Sequence, residues 1–586
     1  MAWEAWLTLA IISIAIVVLA RDFLAPAATL LGAVVALLVT GVIDTQQALS
    51  GFSNPAPITV AALFVVARAV EKTGALQPLV SSMLQENGSA KRGLTRLLVP
   101  VAGSSALLNN TPIVAMLVPQ VGAWADRRDR SRAKYLMPLS FAAILGGLIT
   151  VLGTSTNLLV SGLLEADGFD PIGVFEITKL GLPVALIGVA ALIVLAPRLL
   201  RDRTPARGDL ETNIREFIVD MTVVAGGPVD GVTVEAGGLR HLAGVFLVQV
   251  RRGADLIGPV EPTLVLRGDD RLRFVGRADN VIDLQSTRGL ESAEQEHLAF
   301  ETDQSAFFEA VVGASSPLVG KTLREASFRG RYQAAVVAIH RSGTRVEGKL
   351  GEIQVRVGDT LLLLADPDFR NRWYDRNDFL LVSPLDVVPP VGTRKARAVA
   401  IVLAAIVVTA ATGLLSLLEA SLLGAFALVL GKVLTPGEAR RSVDLDVVLL
   451  IAAAFGVGAA AAESGLASEI AATLVGGFGG LGTSMTLAGL MLATVVLTEL
   501  VSNAAAAAIM FPIAVAAAAD INHDPRGFAI AIAVAASASF LSPIGYQTNT
   551  MVYGPGGYRF FDYARLGAPL TAIVLVTTVV LEPLFW

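Results

Sequence analysis

The 586-residue chain has no cysteine and only four histidines. Without cysteine there are no disulfides, no thiol catalysis and no thiolate metal sites, although the compartment stays open. The histidines, His241, His297, His340 and His523, are too scattered for metal-ligand spacing. Charge is also scarce: Asp, Glu, Lys and Arg make up 16% against 54% hydrophobic residues, and mean hydropathy is +0.65, far from an average soluble protein. A net charge of −5 gives no reason to expect nucleic acid as a partner. No Walker motif, Ser-His-Asp set or TVGYG-like filter occurs, so no constellation supports an enzyme. Gly477-Phe-Gly-Gly-Leu-Gly482 satisfies G-x-G-x-x-G, but no βαβ unit surrounds it and it reads as an interfacial turn. The start, Met1-Ala-Trp-Glu, lacks the basic region of a cleaved signal, so the first apolar run is expected to be retained.

What the chain does have is apolar runs long enough to cross a bilayer, at both ends. Runs near 5–20, 25–43 and 57–72 predict three spans. Two shorter runs follow, 94–108 and 111–125, split by Asn109-Asn110-Thr111-Pro112. Lys91, Arg92 and Arg96 precede this pair, and Arg127, Arg128, Arg130, Arg132 and Lys134 follow it. Basic residues on both sides predict two cytoplasmic ends, hence a re-entrant hairpin with Asn110 near its tip. A span from about 135 breaks at Gly153-Thr-Ser-Thr-Asn157 and resumes through Val160. An acidic loop with Glu165, Asp167, Asp170 and Glu176 then precedes a span at 180–197 and the basic Arg198, Arg201, Arg203 and Arg207. The first half thus crosses five times.

From about 208 to 385 the pattern changes to frequent charges and short strand-like runs, such as 245–250 and 360–364. This segment reads as a soluble, cytoplasmic α+β insert that repeats itself at an offset of about 90 residues. Gly231 corresponds to Gly320, strand 245–250 to strand 334–339, and Gly268-Asp269-Asp270 to Gly358-Asp359-Thr360. The expected units are 1–200 and 395–586 for the membrane halves, and 208–292 and 298–385 for the tandem insert.

Membrane sequence resumes after Arg394, Lys395 and Arg397, with spans at 399–417, 420–434 and 447–463. A second broken pair lies around 484–518, with Ser502-Asn503-Ala504 at its centre and no basic cluster behind it, so it enters from outside. A span from about 526 breaks at Ser542-Pro-Ile-Gly-Tyr-Gln-Thr-Asn549, and a last one runs 566–583. The halves match: Pro119 and Pro512 each lie nine residues past Asn110 and Asn503, Gly41–Thr45 aligns with Gly431–Thr435, Gly153–Asn157 with Gly545–Asn549, and Leu180–Pro183 with Leu566–Pro569. Five crossings per half plus a cytoplasmic insert force the second half upside down. The expected fold is therefore an α-helical polytopic membrane protein of two inverted repeats, each with a re-entrant hairpin and an interrupted helix, around a soluble insert. Such an architecture is that of a secondary transporter with its site near the midplane.

Interrupted helices expose carbonyls at one half-helix end and N–H groups at the next half-helix start. Carbonyls with Asn, Ser and Thr oxygens suit dehydrated Na⁺; free N–H groups and hydroxyls suit an anion. A lone Asn in a span usually bonds a neighbouring helix, but four breaks repeated across two halves point to a site. Thr111 and Thr156 are weaker candidates because a span Thr often bonds its own backbone. Pro112, Pro119, Pro512 and Pro543 read as helix-breaking geometry. Arg68 and Glu71 read as an i,i+3 pair, and Glu463 and Glu499 as structural or interfacial groups rather than proton carriers.

These residues resemble the divalent anion/sodium symporter family (SLC13-like permeases of the ion transporter superfamily), over about 1–200 and 395–586. That family carries a Ser-Asn-Thr signature at each hairpin tip, present here as Asn109-Asn110-Thr111 and Ser502-Asn503-Ala504. The resemblance implies Na⁺ held by Asn109, Asn110, Gly153, Thr154 and Asn157, and by Ser502, Asn503, Gly545 and Asn549. It implies an anion held by Asn110, Thr111, Thr156, Asn157, Asn503, Thr548 and Asn549. Ala504 departs from the signature, having no hydroxyl, which tilts the expectation from a dicarboxylate towards a smaller oxyanion such as sulfate. The family also implies a homodimer with an elevator motion in the cell inner or plasma membrane. The insert resembles paired TrkA-C domains (the C-terminal domains of potassium-conductance regulators), implying a small regulatory ligand such as a nucleotide. The expected activity is Na⁺-coupled symport of a small divalent inorganic or organic anion. A Na⁺/H⁺ antiporter or arsenite-type carrier, and a membrane receptor signalling through the insert, are the alternatives.

Overall fold

The computed structural model describes residues 3–75 except 22, 90–202 except 127 and 129, 218–384 and 393–586 except 479–481; within 218–384 it leaves out 240–244, 254, 259, 277–289, 293–305, 314–315, 342–343, 347–349, 366–368 and 374–377. Arg127, Arg203, Arg207, His241 and His297 therefore lie outside the described residues. The chain divides into two compact units: Met1–Asp202, Pro389–Tyr553 and Tyr558–Trp586 form one, and Arg203–Val388 with Gly554–Gly557 the other.

The helical unit begins with α1 (Trp3–Ala20), α2 (Pro26–Val39), α3 (Thr45–Ser53) and α4 (Pro55–Thr73). The short α3 is not foreseen by the apolar runs. Its start is fixed by a capping box in which Asp44 accepts the Gln47 N–H and Gln47 accepts the Asp44 N–H. Asn54 then caps α4, whose first residue is Pro55. The broken pair is α5 (Ala90–Ser105) and α6 (Asn110–Asp126), followed by α7 (Ala133–Gly147), a 3-10 turn at Val151–Gly153, α8 (Ser155–Ala166) and α9 (Thr178–Leu199).

The second unit holds two five-stranded antiparallel sheets. Strands β1 (Ile218–Val223), β2 (Val245–Arg252), β3 (Asp255–Ile257), β4 (Arg271–Gly276) and β5 (Leu290–Ser292) pair in the order β3-β2-β4-β1-β5. Next come β6 (Ala306–Val312), α10 (Phe328–Tyr332), β7 (Ala334–Arg341), β8 (Thr344–Arg345), β9 (Thr360–Ala365), α11 (Phe369–Trp373) and β10 (Phe379–Pro384). Their order, β10-β6-β9-β7-β8, is the same arrangement. Each sheet has its own core, around Leu272 and Phe274 in one and Phe308 and Phe369 in the other. Each also buries one acid under a bidentate arginine: Arg252 on Asp270 at 2.8 and 2.7 Å, and Arg341 on Asp359 at 2.8 and 2.7 Å. Those hydrogen bonds hold both guanidinium pKa values above the usual arginine range.

This geometry corrects the repeat alignment by one residue. Val223 N–H donates to Asp270 O as Val312 N–H donates to Asp359 O. The partner of Gly358 (φ 81°) is therefore Asp269 (φ 65°), not Gly268.

The helical unit resumes with α12 (Thr393–Ala411), α13 (Leu417–Leu430), α14 (Pro436–Ser442), α15 (Leu445–Glu463) and α16 (Leu466–Phe478). Gly477 is thus inside a helix rather than a turn. Then follow the second broken pair, α17 (Thr483–Leu500) and α18 (Asn503–Asp520), then α19 (Pro525–Ser537), α20 (Gln547–Tyr553) and α21 (Phe560–Leu581). Among the described residues, seven segments are long and apolar enough to cross a membrane. They include α17 and α18 at 18 residues each, longer than the sequence runs suggest.

Several described elements of the two halves can be matched, again with a one-residue correction; α16 has no counterpart among the described residues. Gly41 and Val42 N–H groups bond Leu38 and Leu37 carbonyls as Lys432 and Val433 bond Val429 and Leu428. Lys432, with φ 52°, therefore stands where the first half has Gly41 at φ 78°, and Gly431 is not its partner. Thr435 forms the capping box matching that of Asp44. Contacts across the halves are reciprocal: Gln47 Nε2 donates to Glu463 Oε1 at 2.9 Å, while the equivalent Glu438 accepts from the equivalent Lys72 at 2.6 Å. Lys72 holds the Glu438 carboxyl down to about 2. Arg68 and Glu71 pair at 3.0 Å.

Candidate functional site

Breaking a helix leaves its terminal carbonyls and N–H groups without partners. Here glycines on neighbouring helices hold the broken ends. A Cβ on Gly181 would lie 1.9 Å from Leu148 O, and one on Gly567 would lie 2.1 Å from Phe540 O. No larger residue fits either place, so α9 and α21 lie directly on the break that each half must keep open.

Each break is then closed by one asparagine. Asn157 Nδ2 donates to Gly147 O at 3.3 Å and Thr150 O at 2.9 Å; Asn549 Nδ2 donates to Ser539 O at 2.9 Å and Ser542 O at 3.2 Å. The sequence separations, ten and seven residues, are identical. The tips match too. Ser105 Oγ donates to Asn110 Oδ1 at 2.5 Å, and Thr498 Oγ1 donates to Asn503 Oδ1 at 2.8 Å. Thr498 and Thr150 hydroxyls also tie each tip to its break, through Ala536 O and Ala106 O.

With this frame equal in both halves, the remaining atoms differ. Asn110 is 1% exposed, and its Nδ2 donates across to Tyr546 Oη at 2.8 Å. Thr111 Oγ1 donates to Gln547 Oε1 at 3.3 Å. The first tip therefore rests on the second break. Asn503 Nδ2 is buried without a partner, and Ala504 beside it is buried and has no hydroxyl. In the second break Ser140 Oγ donates to Asn549 Oδ1 at 2.8 Å and meets Thr548 Oγ1 at 2.9 Å. The place of Ser140 in the other half is taken by Ile532, and Asn157 Oδ1 is left unpartnered.

The cups around the two break glycines differ most. The space a Cβ on Gly153 would take is bounded by backbone: Gly147 O at 2.5 Å and Ser105 O at 2.8 Å. At Gly545 it is bounded by side-chain oxygens: Ser539 Oγ at 2.1 Å, Glu499 Oε2 at 2.8 Å and Ser542 Oγ at 3.2 Å. Buried polar atoms are nearly always hydrogen-bonded. Yet Asn157 Oδ1, Glu499 Oε2, Asn503 Nδ2, Ser537 Oγ and Ser539 Oγ, all at the tips or breaks, make no hydrogen bond of good geometry among the described residues. An oxygen-rich, unsatisfied cup of this kind fits a hard cation.

The other expected site residues are placed less centrally. Asn109 is half-buried in a cavity of about 20 Å³ lined mainly by Val60, Phe64, Leu108, Leu152 and Leu158. Thr154 and Ser502 oxygens cap α8 and α18, accepting the Thr156 N–H at 3.5 Å and the Ala505 N–H at 3.3 Å. Thr156 is fully buried beside them. Sequence reasoning passes over Ser140 and Ser539, reads Glu499 as structural or interfacial, and gives Tyr546 and Gln547 no individual role within the 542–549 break. The legible signal was that polar residues as large as Tyr and Gln occupy a break where the first half has Thr154 and Ser155. At the acidic loop, Arg526 clamps Glu176 at 2.5 and 2.6 Å and the Asp170 carbonyl at 2.6 Å. Burial alone would raise the Glu176 carboxyl pKa, but the Arg526 and Gly173 hydrogen bonds and the Arg526 charge lower it overall.

The citrate transporter (CitMHS) family model matches residues 9–533. This chain belongs to that family. It is a transporter, not an enzyme. It is 35% identical over 559 residues to a candidate sulfur-deprivation response regulator of Chlamydomonas reinhardtii, covering 93% of this chain and 95% of that one. It is 34% identical to an uncharacterised transporter of Synechocystis, over 99% of this chain and 97% of that one. Sodium/sulfate cotransporter 1 of Chlamydomonas reinhardtii is 26% identical over 98% of this chain and 89% of its own length.

Proposed function

We propose that this transporter moves a small divalent anion, sulfate ahead of a dicarboxylate, by Na⁺-coupled symport with alternating access. The observation that carries the reading is the group of buried polar atoms at the second tip and the two breaks that lack partners among the described residues. Each such group costs about 1–3 kcal/mol when left unsatisfied, so their clustering is what a site awaiting ligands looks like. Asn110, Thr154, Asn157 and the Gly147 and Ser105 carbonyls would hold one Na⁺; Ser502, Asn503, Gly545 and Asn549 the other. Bound Na⁺ supplies positive charge beside the anion, and the coupling is reciprocal by linkage. Thr111, Thr156, Thr548 and the asparagines offer donors to an oxyanion. The missing hydroxyl at Ala504 favours the smaller anion, and the sodium/sulfate cotransporter relatives favour the same cargo.

Reciprocal contacts such as Gln47–Glu463 and Lys72–Glu438 support two halves related by a two-fold axis, the inverted-repeat arrangement. Basic residues flanking the insert support its placement in the cytoplasm, where the two sheet modules, TrkA-C-like in sequence, would regulate transport on binding a small ligand. Homodimerisation and an elevator motion complete the proposal. The test is thermal stabilisation of the purified protein by sulfate, succinate, citrate and aspartate, each with and without Na⁺. Sulfate stabilisation that grows with Na⁺ is expected. Stabilisation by Na⁺ that no anion enhances would instead favour cation exchange, for which Glu499 would be the carboxylate.

A further inference from the structure

We infer that Glu499 is a Na⁺ ligand, giving the second cation cup a formal negative charge that the first cup lacks. The inference deepens the Na⁺ reading above and rests on it. Glu499 is the penultimate residue of α17, just before the Ser502-Asn503 tip. Its Oε1 is fixed by the Leu541 N–H at 2.8 Å, which aims Oε2 at the break. Oε2 lies beside the Ser539 and Ser542 hydroxyls, but makes no hydrogen bond of good geometry among the described residues. Ser539 is fully buried at 0% exposure, and its Oγ likewise makes none. Ser542 Oγ accepts the Gly545 N–H at 2.9 Å, so its orientation is set as well. All three oxygens lie around one point, the place a Cβ on Gly545 would take, at 2.1, 2.8 and 3.2 Å. Hard cations close to Na⁺ in radius take oxygen ligands at about 2.3–2.6 Å, so small side-chain adjustments bring these three oxygens onto one ion.

The usual partner of a buried carboxylate is an arginine or lysine, and among the described residues none pairs with Glu499. An uncompensated buried charge is strongly unfavourable, whereas a bound cation satisfies Oε2 and Ser539 Oγ together. In the first half the positions equivalent to Glu499, Ser539 and Ser542 are Ala106, Gly147 and Thr150; the Thr150 hydroxyl donates to the Ala106 carbonyl, and the Gly153 cup is bounded by the Gly147 and Ser105 carbonyls. The two cups therefore differ in charge while sharing their frame. The added charge makes the second the tighter Na⁺ cup.

The test is Na⁺ titration of the purified full-length protein at constant ionic strength, with choline as the replacing cation and the shift in unfolding temperature as the readout. Glu499→Gln should raise the half-maximal Na⁺ concentration about tenfold or more, the loss of one charged ligand. Ser539→Ala, which keeps the charge, should raise it about threefold. A Glu499→Gln response within twofold of the parent overturns the inference. Should that variant fail to fold, Ser539→Ala decides: an unchanged Na⁺ response there overturns it equally. If the parent is stabilised by sulfate but not by Na⁺, the underlying Na⁺ reading falls and this inference falls with it.

Discussion

The two halves of the helical unit build the same frame and fill it differently. In both, a hydroxyl five residues upstream holds the tip asparagine, and an asparagine closes the break through carbonyls ten and seven residues back. Around that frame the first half uses backbone oxygens and a cross-contact to Tyr546, whereas the second presents Glu499, Ser539 and an unpartnered Asn503 amide. The lesson is that duplication preserves what keeps a helix broken, while the atoms that face a ligand are free to diverge.

The largest effect is expected from adding one methyl group to each break. Gly153→Ala places Cβ against two backbone carbonyls that cannot turn aside, and should cost about 3 kcal/mol or more, read as lost expression or a lowered unfolding temperature. Gly545→Ala meets only side-chain ends, which rotate. That variant should fold but lose most of its Na⁺ response. Equal destabilisation of the two variants would remove the distinction between a backbone cup and a side-chain cup.

Next in size is Tyr546→Phe, which takes away the acceptor of Asn110 Nδ2 and makes the first tip resemble the second. A loss of about 1–3 kcal/mol is expected in denaturant titration. Lys432→Gly sharpens the comparison from the other direction. Relieving a left-handed lysine where the first half has Gly41 should stabilise by up to about 1 kcal/mol, seen as a higher unfolding temperature.

That last position also explains what the sequence could not yield. The broken pairs, the interrupted helices and the strand-rich insert were legible because polar signatures and composition shifts are local. Register was not. Aligning like residues pairs Gly41 with Gly431 and Gly268 with Gly358. The structure puts Lys432 and Asp269 in the left-handed conformation instead. Glu499 was missed for a different reason: one carboxylate near a helix end reads as interfacial until the fold shows two serine hydroxyls and a glycine around it.

The smallest effect is electrostatic. Lys72–Glu438 is an ion pair where the reciprocal contact, Gln47–Glu463, has a neutral amide. The Glu438 carboxyl is held down to about 2. Its contribution is therefore full above the ordinary carboxyl value near 4.5 and fades as pH falls from there towards about 2. Lys72→Gln should abolish that part of the acid sensitivity, measured as unfolding temperature against pH, with a change under about 1 kcal/mol because the pair is partly exposed.

The account stands on two tip asparagines acting in one Na⁺-coupled site. Uptake of radiolabelled sulfate into proteoliposomes under an inward Na⁺ gradient, compared for the parent, Asn110→Ala and Asn503→Ala, tests it directly. The account predicts Na⁺-dependent uptake in the parent and its loss in both variants. Normal Na⁺-driven uptake in both would contradict it.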